Sequence, residues 1–298
     1  LVEAVDRFGR PRGSALSMVR NVAGPYAGSN WAFCGVTDQD LLDGRFPEVD
    51  EAFVALARQL VTPSFMHSLR SSLACYRAGE DAALTVHTRM AAGTSGRLTL
   101  SVDGVAVAQL PVSEGDQEHT AVWTVPDQEK DLLAVKAVLE VDGRIVDDMT
   151  TAFAVWNEET ARSGAAIAQR DNVMLFRGQP TFLSGANQTG MMWYSANENP
   201  AVWQRDFQGM SDYGLNILRV LHFSPFAVEK EPQKNPRNPL DLRMQPLATQ
   251  RQTDAMVQLA QKNNVAFFLT LHDWMPLELN EDELAAQKEW AAFWGGRY

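Results

Sequence analysis

Apolar residues change their spacing partway along this chain, and that change limits what it can fold into. From about residue 73 to 156 they alternate with polar ones, as in ALTVHTRM, RLTLSVDGVAVAQL, TAVWTV and LLAVKAVLEVDGRIVDD. A period of two places one face of a strand in a core and the other in water. Asp103-Gly104 and Asp142-Gly143 sit between alternating runs, the composition of tight hairpins. About seven short strands without helices predict an antiparallel, immunoglobulin-like β-sandwich over 71–160.

From residue 172 onward the period is different. Residues 173–183 read as a small hairpin. Asn199-Pro200 caps and begins a helix that ends near Gly214, and a second helix runs over 247–262. A third starts from Asn280 and Glu283 and reaches Trp294. Between them lie the runs 215–221 and 265–271, apolar on both sides as covered parallel strands are. The order strand, helix, strand, helix, strand, helix suits an open doubly wound sheet or a closed barrel. SGANQTG lacks the GxGxxG spacing of a nucleotide-binding turn. Polar side chains collect just after each strand, where barrels build their sites. The first part of a (β/α)8 TIM barrel is therefore expected over 172–298. Residues 1–70 contain one helical segment, 47–60, and read as the end of a preceding domain or a linker.

Two apolar runs contain residues that burial alone does not explain. NILRVLHF encloses Arg219, and a buried guanidinium is costly without a carboxylate. FLTLHDW stops at His272, Asp273 and Trp274. These positions, with Asn187, Trp193 and His222, fall at the starts of predicted strand-to-helix loops. Aromatic rings take up the flat apolar faces of a ligand, and polar side chains take its hydrogen-bonding groups. Trp193 and Trp274 are stacking candidates, and Asn187, His222 and Asp273 are hydroxyl-binding candidates. Arg219 pairing with Asp273 is the structural alternative. Tyr26, Asn30 and Trp31 form a further candidate ligand-contacting loop, although packing and turn roles suit them better.

The chain has 298 residues and a formal charge of -11, which disfavours nucleic acid as a partner. No apolar run is long enough to cross a bilayer. The two cysteines, Cys34 and Cys75, are too few for a zinc site or a disulfide framework. No metal-ligand spacing, P-loop, GxSxG or HExxH is found, so no metal or cofactor is expected. Leu1 opens the chain with no signal-like segment after it, leaving the compartment open between secreted, periplasmic and cytoplasmic.

FRGQPTFLSGANQTG, DYGLNILRVLHF and NNVAFFLTLHDW, in that order, resemble the opening of the barrel in clan A glycoside hydrolases, of the family 5 or β-galactosidase type. Matching positions are Gly214, Asn216 and Arg219, then His272. The resemblance implies a retaining glycoside hydrolase acting on β-linked galactosides, mannosides or glucosides, with an oligo- or polysaccharide as substrate. It makes Arg219 and His272 supporting residues, Trp193 and Trp274 stacking surfaces for a sugar, and Asn187, His222 and Asp273 contacts to its hydroxyls. It makes Tyr26, Asn30 and Trp31 a further candidate sugar-contacting loop. The acid/base and nucleophile glutamates are implied beyond Tyr298, so none is assigned here. The rest of the polypeptide or another subunit would then complete the barrel. A non-catalytic carbohydrate-binding or assembly module, or another (β/α)-barrel enzyme such as a lyase or isomerase, are the alternatives.

Overall fold

The computed structural model describes residues 2–5, 11–35, 44–127, 130–164, 167–188, 199–221, 247–271 and 281–298. The first strands, β1 (Val2–Val5), β2 (Pro11–Arg20) and β3 (Asn30–Cys34), form a small antiparallel sheet in that order. Helix α1 (Pro47–Val61) follows, with Pro47 in its first turn, where a missing N–H costs nothing.

A mixed six-stranded sheet comes next. It contains β4 (Phe65–Ser71), β5 (Cys75–Tyr76), β6 (Asp81–Val102), β7 (Val105–Thr124), β8 (Leu132–Val141) and β9 (Arg144–Val155). The order is β4-β6-β8-β9-β5, with β7 on β6, and β5 runs parallel to β9. Asp103-Gly104 and Asp142-Gly143 turn the hairpins with positive φ at both positions, 48° and 82°, then 50° and 74°.

The immunoglobulin-like sandwich expected from the alternation is not what forms. One sheet curls on itself instead of two sheets stacking. The reason is strand length. β6 runs for 22 residues and β7 for 20, so each passes through what would have been a corner between sheets. Pairing slips between Met90 and Ser95, with Gly93 at φ 71°, and the ribbon bends there without ending. The first half of β6 pairs with β4 and the second half with β8. Gly96 lets β8 come close, because a Cβ there would lie 2.3 Å from the Glu140 carbonyl oxygen. The curl also brings β4 to β9, where the Met66 N–H donates to Asp147 Oδ2 at 2.8 Å. Arg20 of β2 closes the same clasp, 2.6 Å from Asp147 and stacked over Phe65. Leu84, Val86, Leu98, Leu100, Leu133 and Phe153 fill the enclosed core.

Helix α2 (Glu158–Arg162) leaves the sheet, capped by Asn157. A small antiparallel sheet follows: β10 (Ala168–Arg170), β11 (Val173–Phe176) and β12 (Gln179–Pro180). The last elements are β13 (Gly185–Gln188), α3 (Pro200–Asp212), β14 (Ile217–Leu221), α4 (Leu247–Lys262), β15 (Ala266–Thr270) and α5 (Glu281–Arg297). The three strands are parallel, in the order β13-β14-β15.

The barrel portion is corrected as well. In the described residues β13 and β15 each pair only with β14, so the sheet is open. Its helix-covered face is apolar: Leu218, Val220 and Val265 pack against Trp203, Phe207, Met256 and Leu259. Its other face is exposed at Phe268, which is 54% accessible. A closed barrel would bury that face.

Cys75 and Ala154 of the curled sheet join this second core, so the two regions share it. Gln258 of α4 is fully buried between them. It accepts from the Asn157 N–H at 2.7 Å and donates to the Val155 carbonyl at 2.8 Å. Glu80 pairs with Arg251, and Asp131 with Lys262. Cys75 is buried and Cys34 exposed, with no disulfide between them. Burial pushes the Cys75 thiol pKa up, so this group is an inert core residue.

Candidate functional site

The candidate site is built on β14. Leu218 and Val220 turn into the core, and strand alternation sends Arg219 to the opposite, open face. In register with it stand Asn187 on β13 and Phe268 on β15. The guanidinium lies across the sheet. Arg219 Nε donates to Thr270 Oγ1 at 2.9 Å, and Nη1 donates to Asn187 Oδ1 at 3.2 Å. Asn187, Arg219 and Thr270 therefore form a polar row spanning three parallel strands, with Phe268 beside it. This arrangement holds a delocalised cation in one orientation on that face of the sheet.

Several residues around Arg219 have structural work instead. Gly214 sits at φ 74° at the end of α3, a left-handed position suited to glycine. Asn216 is a clamp: its Oδ1 accepts from the Ser184 N–H at 3.0 Å and its Nδ2 donates to the Phe182 carbonyl at 3.0 Å. Gly178, with Arg177, turns the β11–β12 hairpin at positive φ. Gly185 is required by strand approach, because a Cβ there would fall 1.7 Å from the Ile217 carbonyl oxygen. In the motifs read from sequence, these positions shape the backbone, and Asn187 and Arg219 present functional groups.

Five further candidates, Trp193, His222, His272, Asp273 and Trp274, lie outside the described residues. In sequence they follow the ends of β13, β14 and β15. Thr270 was not anticipated, yet it is the shortest hydrogen-bond partner of Arg219 in the row. It lies two residues after Phe268, on the same face of the same strand, but a threonine in a strand is ordinary and does not stand out in the sequence. In the N-terminal sheet Asn30 donates to the Leu60 carbonyl at 3.0 Å and ties β3 to α1. Tyr26 and Trp31 are exposed and meet edge to face with centroids 5.0 Å apart.

A cleft of about 740 Å³ opens beside the outer edge of β15, bordered by Trp156, Glu158, Gln261, Phe267, Phe268 and Tyr298. Below it Asp254, almost fully buried, accepts from Arg297 Nε and Nη2 at 2.8 and 2.6 Å and from the Tyr298 hydroxyl at 2.8 Å. Burial, then the Asp254 charge, raises the Tyr298 pKa, so the phenol stays protonated as a donor. This network locks α5 onto α4. Among the described residues, no group of three or more His, Cys, Asp or Glu side chains is placed to hold a metal.

No family model and no curated protein matches the chain. Similar solved structures include a glycoside hydrolase family 2 β-galacturonidase from Eisenbergiella tayi bound to galacturonate. It is 14% identical, over 69% of this chain and 33% of that one, with a TM-score of 0.32. Bacteroides uniformis β-glucuronidase 3 is 11% identical, over 77% and 25%, with a TM-score of 0.30. A CARDB domain from Pyrococcus furiosus is 13% identical, over 31% and 89%, with a TM-score of 0.26. The chain spans a quarter to a third of the two glycoside hydrolases. Likeness at this level carries no argument about fold or activity.

Proposed function

We propose that this chain supplies sugar-binding and supporting residues to a retaining glycoside hydrolase acting on β-linked sugars of galactoside, mannoside or glucoside type. The observation that supports the reading is the Asn187–Arg219–Thr270 row on the open face of a parallel sheet. Retaining hydrolysis uses two carboxyl groups about 5–5.5 Å apart. One protonates the leaving oxygen, and the other must stay ionised to attack the anomeric carbon. A guanidinium beside that nucleophile lowers its pKa. Arg219 takes this supporting role, Asn187 and Thr270 hold its plane, and no residue here is assigned as acid/base or nucleophile. The proposal extends to His272 as a supporting donor, to Trp193 and Trp274 as stacking surfaces, and to His222 and Asp273 as hydroxyl contacts. It reads 1–70, 71–160 and 172–298 as successive units of the chain, the last two sharing a core.

The test is calorimetric titration of residues 1–298 with β-linked galacto-, manno- and cello-oligosaccharides. At least one should bind, and Arg219→Ala should weaken it at least tenfold without changing the fold. In a glycosidase containing this chain, Arg219→Ala should lower kcat by roughly 100-fold or more, the scale of losing a preorganised electrostatic contact. KM should change little. An unchanged kcat would remove Arg219 from the site. Residues 1–298 alone should release no nitrophenol from aryl β-glycosides, and release would show that the acid and nucleophile lie within them.

A further inference from the structure

In the N-terminal sheet, alternation sorts β2 and β3 into two faces. Leu16 is buried, and Arg20 reaches Asp147, so this face packs onto the curled sheet. The other face presents Val19 opposite Trp31 and Ser17 opposite Phe33. Tyr26, from the connecting loop, stands edge to face against Trp31 at 5.0 Å. Val19, Tyr26, Trp31 and Phe33 are 44%, 58%, 42% and 52% exposed. Large apolar side chains left in water together call for a partner.

The loop that carries Tyr26 is already ordered. The Asn21 N–H donates to the Ser29 carbonyl at 2.9 Å, and the Gly28 N–H returns to Asn21 at 2.7 Å. Asn21 Nδ2 donates to Ser29 Oγ at 3.0 Å, and Ser29 Oγ donates to the Tyr26 carbonyl at 2.7 Å. The Arg89 guanidinium holds Val22 from the sheet side. A surface fixed before binding loses little entropy when it binds.

Size and charge select the occupant. Fully exposed aromatic side chains offer about 150–250 Å² each, so this patch offers on the order of 350 Å². A stable protein interface needs about 800 Å² per partner. The patch is therefore too small for a second copy of the chain. The side chains named on it carry no charge, and the whole chain is acidic at -11, which repels polyanions. Flat, uncharged and rigid rings match the C–H faces of a neutral saccharide.

We propose that Tyr26, Trp31 and Phe33 form a stacking platform for a neutral polysaccharide, separate from the Arg219 site. It shares the carbohydrate class with that site but none of its residues. The test is affinity electrophoresis through gels holding glucomannan, xyloglucan, β-1,3-glucan, galactan or amylopectin. At least one polymer should retard the protein. Part of the retardation should survive Arg219→Ala, and adding Trp31→Ala or Tyr26→Ala to that variant should weaken what remains at least tenfold. A thermal melt confirms folding, and Tyr26→Ala, in a loop, serves if Trp31→Ala does not fold. No retardation by any polymer, or retardation equal in all variants, would overturn the platform. Loss of retardation in Arg219→Ala alone would also overturn it while leaving the Arg219 site standing. Light scattering at about 50 µM should give a monomer. A dimer dissociated by Trp31→Ala would replace the saccharide with a second copy.

Discussion

The curled sheet and the parallel sheet treat a strand-borne arginine differently. At the curled sheet Arg20 is spent on closure: it meets Asp147, which also accepts from Met66, and it stacks on Phe65. At the parallel sheet Arg219 lies across an open face, held by an amide and a hydroxyl. A cation that bridges elements should matter for stability, and a cation displayed on a face should matter for binding. The two regions can be told apart by which property each substitution changes.

The largest stability loss is expected at Asp147. Asp147→Ala strands the Arg20 cation and the Met66 N–H in a poorly hydrated clasp. Breaking such a pair costs about 3–5 kcal/mol, to be read from urea unfolding. A loss below about 1 kcal/mol would mean that the clasp does not close the sheet. Next comes Gln258→Ala, which leaves the Asn157 N–H and the Val155 carbonyl unpaired between the two regions. The cost should be about 2–3 kcal/mol, and the single melt should split into two transitions. A single, unshifted transition would show that the regions are not coupled through this residue. Arg219→Ala should change stability by less than about 1 kcal/mol, as substitutions away from a packed core do. A larger loss would make Arg219 a closure residue like Arg20.

The smallest expected effect is a pH dependence confined to the curled sheet. Burial, then the nearby His87, lowers the pKa of His67. Burial, then His87, also lowers that of His119. A histidine whose folded pKa is depressed contributes stability above its unfolded value near 6.5, and that contribution is lost as the pH falls through it. Urea midpoints should therefore drop between pH 7 and pH 5. His67→Gln should flatten the slope, and an equal slope in that variant would remove His67 as its source.

Local structure was legible in the sequence, and closure was not. The Asp-Gly turns, the Pro47 helix start and the Asn199-Pro200 cap follow from residue types with one preferred geometry each. Alternation gave the inward faces of β6 and β8, because burial on one side writes itself into every second residue. It did not reveal that β6 and β7 continue through Met90 to Ser95, since a bend with a bulge and a break between strands have similar composition. That is why a sandwich was expected where one sheet curls. Parallel strands were readable from 215–221 and 265–271, but covered strands look alike in open and closed sheets. At the site, Arg219 stood out as a charge in an apolar run. Thr270 did not, because a threonine in a strand is ordinary. Asn216 matched the family pattern beside Arg219, and its side chain clamps the backbone instead.

The most direct test follows the Nε–H signal of Arg219 by NMR, assigned with Arg219→Lys, as cellobiose, mannobiose and lactose are added in turn. The account predicts that one disaccharide shifts this signal to saturation, with a matching shift at Asn187. A signal that stays fixed with all three sugars, or while the protein binds one of them elsewhere, would contradict it.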